Sequence, residues 1–240
     1  MTGSASSRAA LIRGLRDAVP IMLAYFPLSV TYGVLATARG IPGWATDLTS
    51  IVIFAGAAQF MLVSLYVAGT SPVSMTVTLL LVNLRHVLYG TTIGPAFTSW
   101  REKHKWIAAF GLTDEVFALT GSQALREPPA PAYQFALAFG SYLSWVAGTV
   151  VGATVGGAVP PAAASALTFA LPALFLSLLL NQARRVPQIV AAVAGAGVAV
   201  AAQAAGLPSF GIVAGAMAGA TTGLILASTT SVSPAADLDR

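Results

Sequence analysis

Long continuous apolar runs constrain this chain more than any other feature. Eight stretches, about 17–38, 46–68, 72–97, 106–125, 132–156, 164–180, 187–203 and 208–228, are nearly free of charge. They lack the alternation of apolar and polar residues that a membrane β-barrel needs. Only 8% of the 240 residues are charged, 56% are hydrophobic and the mean hydropathy is +0.79. Soluble domains carry roughly a quarter charged residues, and disordered chains combine low hydrophobicity with high charge, so neither class fits. At about 20 residues per helical crossing the length suits seven or eight segments. The expected fold class is all-α, a polytopic integral membrane protein of about seven to eight apolar segments, some broken or re-entrant.

The expected organisation is a cytoplasmic N-terminal segment (1–16), one transmembrane helical domain (17–228) and a polar C-terminal tail (229–240). Arg8, Arg13 and Arg16 precede an apolar run ending at Ala36-Thr37-Ala38, which has the look of a signal peptide. Pro20, Pro27 and Gly33 interrupt that run and it is too long for such a segment, so it reads as a first membrane span entered from the cytoplasm. The net charge of +4 belongs to loops and termini under the positive-inside rule. No basic patch with interleaved aromatics is present, so nucleic acid is not an expected partner. Cysteine is absent, which removes disulfide and thiolate chemistry. If every segment crosses, Arg101, Lys103 and Lys105 fall on the side that the rule disfavours. One segment therefore enters and leaves on the same side or is split into half-helices. The first, third and fourth are the candidates, because they carry prolines or polar residues at depth.

Small residues recur every four positions at Gly140, Ser144, Gly148, Gly152 and Gly156, and again at Gly211, Gly215, Gly219 and Gly223. Such a stripe lets another helix approach closely. It leaves the identity of that helix open.

Polar groups at depth are costly in hydrocarbon and so carry the information about function. Asn83, Arg85, His86 and Tyr89 lie in the middle of the third segment, and Thr113, Asp114 and Glu115 lie in the fourth. Helical spacing puts Asn83 with His86 and Arg85 with Tyr89. One of the two acids is the natural counter-charge for Arg85. The acids read either as a proton or amine site, or as a structural ion pair or a helix start near water. Gln59, in Phe54-Ala55-Gly56-Ala57-Ala58-Gln59-Phe60, is a lone amide that more often joins helices than binds a ligand. Pro27 and Pro172 sit mid-segment, where a broken helix can line a binding site and where a simple kink is the plainer reading. No Walker loop, HExxH or GxSxG occurs, so neither an enzyme nor a cofactor or metal is expected.

In order along the chain, Pro27 with Gly33, the Phe54–Phe60 string, Asn83-Leu84-Arg85-His86 with Tyr89-Gly90, Thr113-Asp114-Glu115 with Phe117, and Phe169-Ala170-Leu171-Pro172-Ala173-Leu174-Phe175 resemble the AzlC family. The resemblance spans nearly the whole chain. It implies the large subunit of a bacterial branched-chain amino-acid exporter in the cytoplasmic membrane. The implied activity is secondary transport of leucine, isoleucine and valine, with methionine as a further candidate, driven by the proton-motive force beside a small AzlD-type membrane subunit. Leu28 and Thr168 depart from the family, which often has Phe and an acid there.

A zwitterionic substrate needs an acceptor for its amine, donors for its carboxylate and an apolar pocket. Asp114 or Glu115 suits the amine, and Arg85 or backbone amides near Pro27 or Gly56 suit the carboxylate. Phe54, Phe169 and Phe175 suit the pocket, with Gln59, Asn83 and Pro172 in the same substrate set. His86 with Asp114 or Glu115 suits proton coupling. Two rival readings are a membrane scaffold subunit, whose polar residues only lock helices, and a passive channel for small solutes.

Overall fold

The computed structural model describes residues 2–160, 169, 176, 186–206 and 208–230, and every regular element among them is helical. Pro172, Phe175 and most of the sixth apolar segment lie outside the described residues, as does the tail from 231 onward. The chain divides into two compact units, Met1–Leu171 and Pro172–Arg240.

The first unit holds α1 (Thr2–Ala38), α2 (Gly43–Val52), α3 (Gly56–Val67), α4 (Pro72–Asn83), α5 (Arg85–Ile93), a 3-10 turn (Gly94–Phe97), α6 (Glu102–Phe110), α7 (Asp114–Ala124) and α8 (Pro131–Val155). Its axis is the pairing of α1 with α8. The glycine stripe of α8 is the reason they meet. A Cβ at Gly148 would fall on Ser29 Oγ and the Phe26 carbonyl, one at Gly152 on the Val30 carbonyl, and one at Gly156 on Thr37 Oγ1. Lower down, Gly140 faces Ala18 and Met22, and Ser144 Oγ donates to the Met22 carbonyl at 2.8 Å. Residue numbers rise together along both helices, so α1 and α8 run parallel.

Four helices among the described residues are long and apolar enough to cross a membrane: Ser7–Ala38, Pro72–Phe97, Pro131–Ala158 and Val186–Ala204. They account for the first, third, fifth and seventh apolar segments. The second and fourth segments are different. Helices α2 and α3 have 10 and 12 residues, and α6 and α7 have 9 and 11. At 1.5 Å per residue each is about 14–18 Å long, roughly half of a 30 Å hydrocarbon layer.

Each of these pairs starts and finishes at one end of the α1–α8 axis. Thr49 meets Tyr32 and Ser50 meets Thr149. Phe54 then reaches Tyr25 and Tyr142, and α3 returns until Phe60 lies against Tyr32. From the other end, His104 packs on Phe135, Thr113 reaches Tyr25, and α7 returns until Thr120 bonds Gln134 and Glu127 pairs with Arg13. Two half-depth hairpins thus enter from opposite ends and meet tip to tip.

This corrects one expectation and supports another. The fourth segment is split into two half-length helices that fold back, as was one option. The first is not: α1 runs unbroken through Pro20 and Pro27. Thr31 Oγ1 bonds the Pro27 carbonyl and Ser29 Oγ bonds the Phe26 carbonyl, which stitches the helix around its proline. The second segment, which carries no proline, is the other hairpin. Because the second-segment hairpin returns to the end it starts from, the Pro72–Phe97 span delivers Arg101, Lys103 and Lys105 to the end that holds Arg13, where the positive-inside rule wants them.

In the second unit, α9 (Val186–Ala204) and α10 (Pro208–Thr230) form an antiparallel pair. Gly211 faces Ala199, Gly215 faces Gly195 and Gly219 faces Ala191. Gly223 also faces Ala191, so the second glycine stripe packs within the chain. The eighth apolar segment contributes the shorter apolar helix Ala214–Leu226 within α10.

Candidate functional site

The two hairpin tips and the midpoint of the Pro72–Phe97 span converge on one place. At the first tip, Phe54 has φ +36°, in the left-handed region that non-glycine residues avoid. Such a conformation costs about 1–3 kcal/mol and persists only where its surroundings impose it. Here the ring is 3% exposed and meets Tyr142 at 5.1 Å and Tyr25 at 6.3 Å, both edge-on. Tyr142 OH donates 3.1 Å to the Ile51 carbonyl, one of the carbonyls that α2 leaves open at its C-terminus. Gly56 starts α3 because the Trp145 ring occupies the place of a side chain.

Behind this tip lies a buried polar chain. Gln59 Nε2 donates to Ser50 Oγ at 2.7 Å, and Trp145 Nε1 donates to Gln59 Oε1 at 2.9 Å. Ser50 Oγ lies 2.7 Å from Thr149 Oγ1. Gln59 therefore ties α2, α3 and α8 together. Leucine at Gln59 should leave the Trp145 indole N–H unpaired, at about 1–3 kcal/mol. The expected result is a purified protein with a lower thermal midpoint and unchanged membrane insertion, read by a tryptophan-fluorescence melt.

At the second tip, Thr113 caps α7 by accepting from the Val116 N–H at 3.4 Å. Asp114 and Glu115 fall in the first turn, where the helix dipole favours negative charge. The fourth-segment acids are thus a helix start, at the middle of the unit rather than at its edge. Arg85 Nη1 donates to Asp114 Oδ2 at 2.7 Å, and Tyr89 OH donates to Asp114 Oδ1 at 2.6 Å. Tyr25 OH donates to Glu115 and sits 2.8 Å from Thr113 Oγ1. The two acids serve different partners, as their offset around the helix requires.

Arg85 opens α5 at the middle of the span. There Leu84 N–H bonds Leu81 O and Val87 N–H bonds Leu84 O, a locally tightened turn of the kind that marks hinges. His86 Nδ1 is 3.1 Å from the Asn83 carbonyl, and its ring meets Tyr89 edge-on at 5.4 Å. Four buried side-chain polar atoms among the described residues lack a partner, and two of them, Asn83 Oδ1 and Arg85 Nε, flank this turn. An open acceptor and an open donor thus stand beside a charged pair that is itself only half-buried.

Of the sequence-selected residues, Asn83, Arg85, His86 and Asp114 come together, with Glu115 held next door by Tyr25. Phe54, Gly56 and Gln59 belong to the first tip and its packing. Pro27 faces outward on α1, and Phe169 is 67% exposed in a turn. Sequence reasoning passed over Tyr25 and Trp145. Tyr25 is a hydroxyl at depth, two residues before the Pro27 that drew attention instead.

The AzlC protein family matches residues 20–159, which include every member of this cluster. The chain belongs to the AzlC family. The chain is 39% identical to a membrane protein of Archaeoglobus fulgidus over 90% of its length and 95% of that protein. It is 34% identical to the inner membrane protein YgaZ of Escherichia coli, with 93% of each covered. The branched-chain amino acid transport protein AzlC of Bacillus subtilis is 26% identical over 76% of this chain and 72% of that protein. No solved structure matches the chain.

Proposed function

We propose that the chain is the multi-pass subunit of a secondary exporter for branched-chain amino acids in a bacterial cytoplasmic membrane. The single observation that carries this reading is the pair of unpartnered atoms, Asn83 Oδ1 and Arg85 Nε, beside the Arg85–Asp114 pair. An amino acid offers an ammonium for the first and a carboxylate for the second. It is one of the few small solutes that answers both at once. The name of the Bacillus subtilis relative adds support. The two half-depth hairpins add more, since interrupted helices are how transporters place backbone groups around a midplane ligand. Proton coupling falls to Glu115, His86 and Asp114, and a small AzlD-type membrane subunit is the proposed partner.

Efflux of preloaded radiolabelled leucine from cells expressing the chain, with and without the partner, tests this reading. Saturable efflux that collapses with a protonophore supports it. Unsaturable flux that ignores the gradient replaces it with a passive channel. Absence of efflux under every condition removes the substrate assignment.

A further inference from the structure

An open cavity of about 220 Å³ lies between the end of the Pro72–Phe97 span and α6, and the transport reading makes no use of it. One wall is Gly90 and Gly94, the other Ala108 and Ala109, and Thr98 and Lys105 stand at the mouth. Both walls run the same way. Gly94 and Gly90 lie progressively deeper in the span from its Phe97 end, and Ala108 and Ala109 follow Lys105 along α6. The cavity is therefore cationic at the surface and apolar inward over about two helical turns.

The glycines here differ from those of the α1–α8 seam. A Cβ at Gly90 or Gly94 would touch nothing within 4 Å, so helix packing does not require their bareness. Gly90 and Ala109 are exposed, which opens the slot sideways. The mouth lies at interface depth by two signs: it adjoins the end of an apolar span, and Trp106 beside it is 76% exposed, as interfacial tryptophans are. Arg101 and Lys103 add positive charge next to Lys105, against Glu102 alone, which bonds Lys105 at 2.8 Å. That exposed contact is weak and leaves the ammonium with donors to spare.

We infer that this cavity is a site for one anionic phospholipid, with its phosphate at Lys105 and one acyl chain along Gly94 and Gly90. A head of negative charge and an unbranched apolar tail match both the polarity and the direction of the slot. Cations at a membrane surface each favour an anionic lipid by roughly fivefold.

The test uses the purified full chain in vesicles of equal phosphatidylglycerol and phosphatidylcholine, one of the two carrying brominated chains that quench tryptophan. Quenching should report a preference for phosphatidylglycerol of roughly fivefold or more. Lys105→Gln should bring it down by roughly fivefold, and Glu102→Gln should preserve or raise it. Gly94→Leu should fill the slot and remove the preferential quenching while the protein stays folded. Equal quenching by both lipids, or an unchanged preference in Lys105→Gln, overturns the inference. So does quenching that inorganic phosphate reverses while Gly94→Leu binds as before, which would mean an anion site with no chain-binding slot. Displacement of the lipid by leucine would assign the cavity to transport and overturn it too.

Discussion

Leucine efflux should fall more than about a hundredfold when Asp114 is changed to asparagine, and roughly tenfold when Arg85 is changed to glutamine. Asp114 accepts two hydrogen bonds, from Arg85 and Tyr89, and bonds to a charged group are worth about 1.5–3 kcal/mol each. The side chains of Arg85 and Asp114 are 28% and 25% exposed, so the lower figure applies. For Asp114→Asn the sum of about 3 kcal/mol corresponds to a loss of more than a hundredfold, and for Arg85→Gln, which removes one of the two bonds, about 1.5 kcal/mol corresponds to roughly tenfold. Each single change also leaves one charge unpaired at depth and should lower thermal stability. The variant with both changes separates the two roles. It removes both charges together, so stability and insertion should recover while efflux stays absent. Efflux that returns with stability in the double variant would make the pair a structural lock and would favour the scaffold reading.

The second large effect belongs to the α1–α8 seam. Gly152→Leu should prevent the folded pair from forming. Even the first carbon of the new side chain falls on the Val30 carbonyl and within 3.0 Å of Gly33 Cα. These are backbone atoms, which cannot step aside as a side-chain end would. Overpacking of an ordinary core costs about 1–3 kcal/mol, and here whole helices must separate. The bonds along the seam, including Ser144 to the Met22 carbonyl, go with it. The expected outcome is little monodisperse protein after solubilisation, and loss of a disulfide engineered between α1 and α8. Gly157→Leu is the control. A Cβ there meets nothing within 4 Å, and the variant should behave like the parent. Normal yield and an intact cross-link in Gly152→Leu would show that the seam is looser than its geometry implies.

Much of this arrangement is legible in the sequence. Four-residue glycine spacing announced a close helix seam, because bare backbone has no other use at that period. The partner, α1, is not legible, since the small residues it presents to the seam, Gly14, Ala18, Ser29 and Gly33, form no unbroken four-residue stripe. The isolated charges of the third and fourth segments pointed to each other, because hydrocarbon leaves an arginine few alternatives. Only geometry could assign Asp114 to Arg85 and Glu115 to Tyr25. The hairpins were harder. Hydropathy sees two half-length apolar helices and the tip between them as one run, so 46–68 looked like a full crossing. Proline is the sequence signal for a broken helix, yet α1 absorbs its prolines and the first tip breaks at Phe54, where packing overrides backbone preference. Of the aromatic pocket residues, Phe175 lies outside the described residues, as does the mid-segment Pro172.

Helix α1 has 37 residues, which at 1.5 Å per residue is about 55 Å. The hydrocarbon layer is about 30 Å thick, and even a steep tilt hides little more of the rod. Several turns at the Arg8–Arg16 end must therefore stand in water. This mast is braced. Arg13 pairs with Glu127 at 2.9 Å and lies over the Tyr133 ring, and Tyr133 OH donates to Asp17 at 2.9 Å. From Gly14 to Thr37 the helix is locked to α8, so any tilt of the α1–α8 axis is carried to the protruding tip. A fluorophore or an antibody fragment attached there would register that tilt from outside the lipid, far from every residue of the charged cluster.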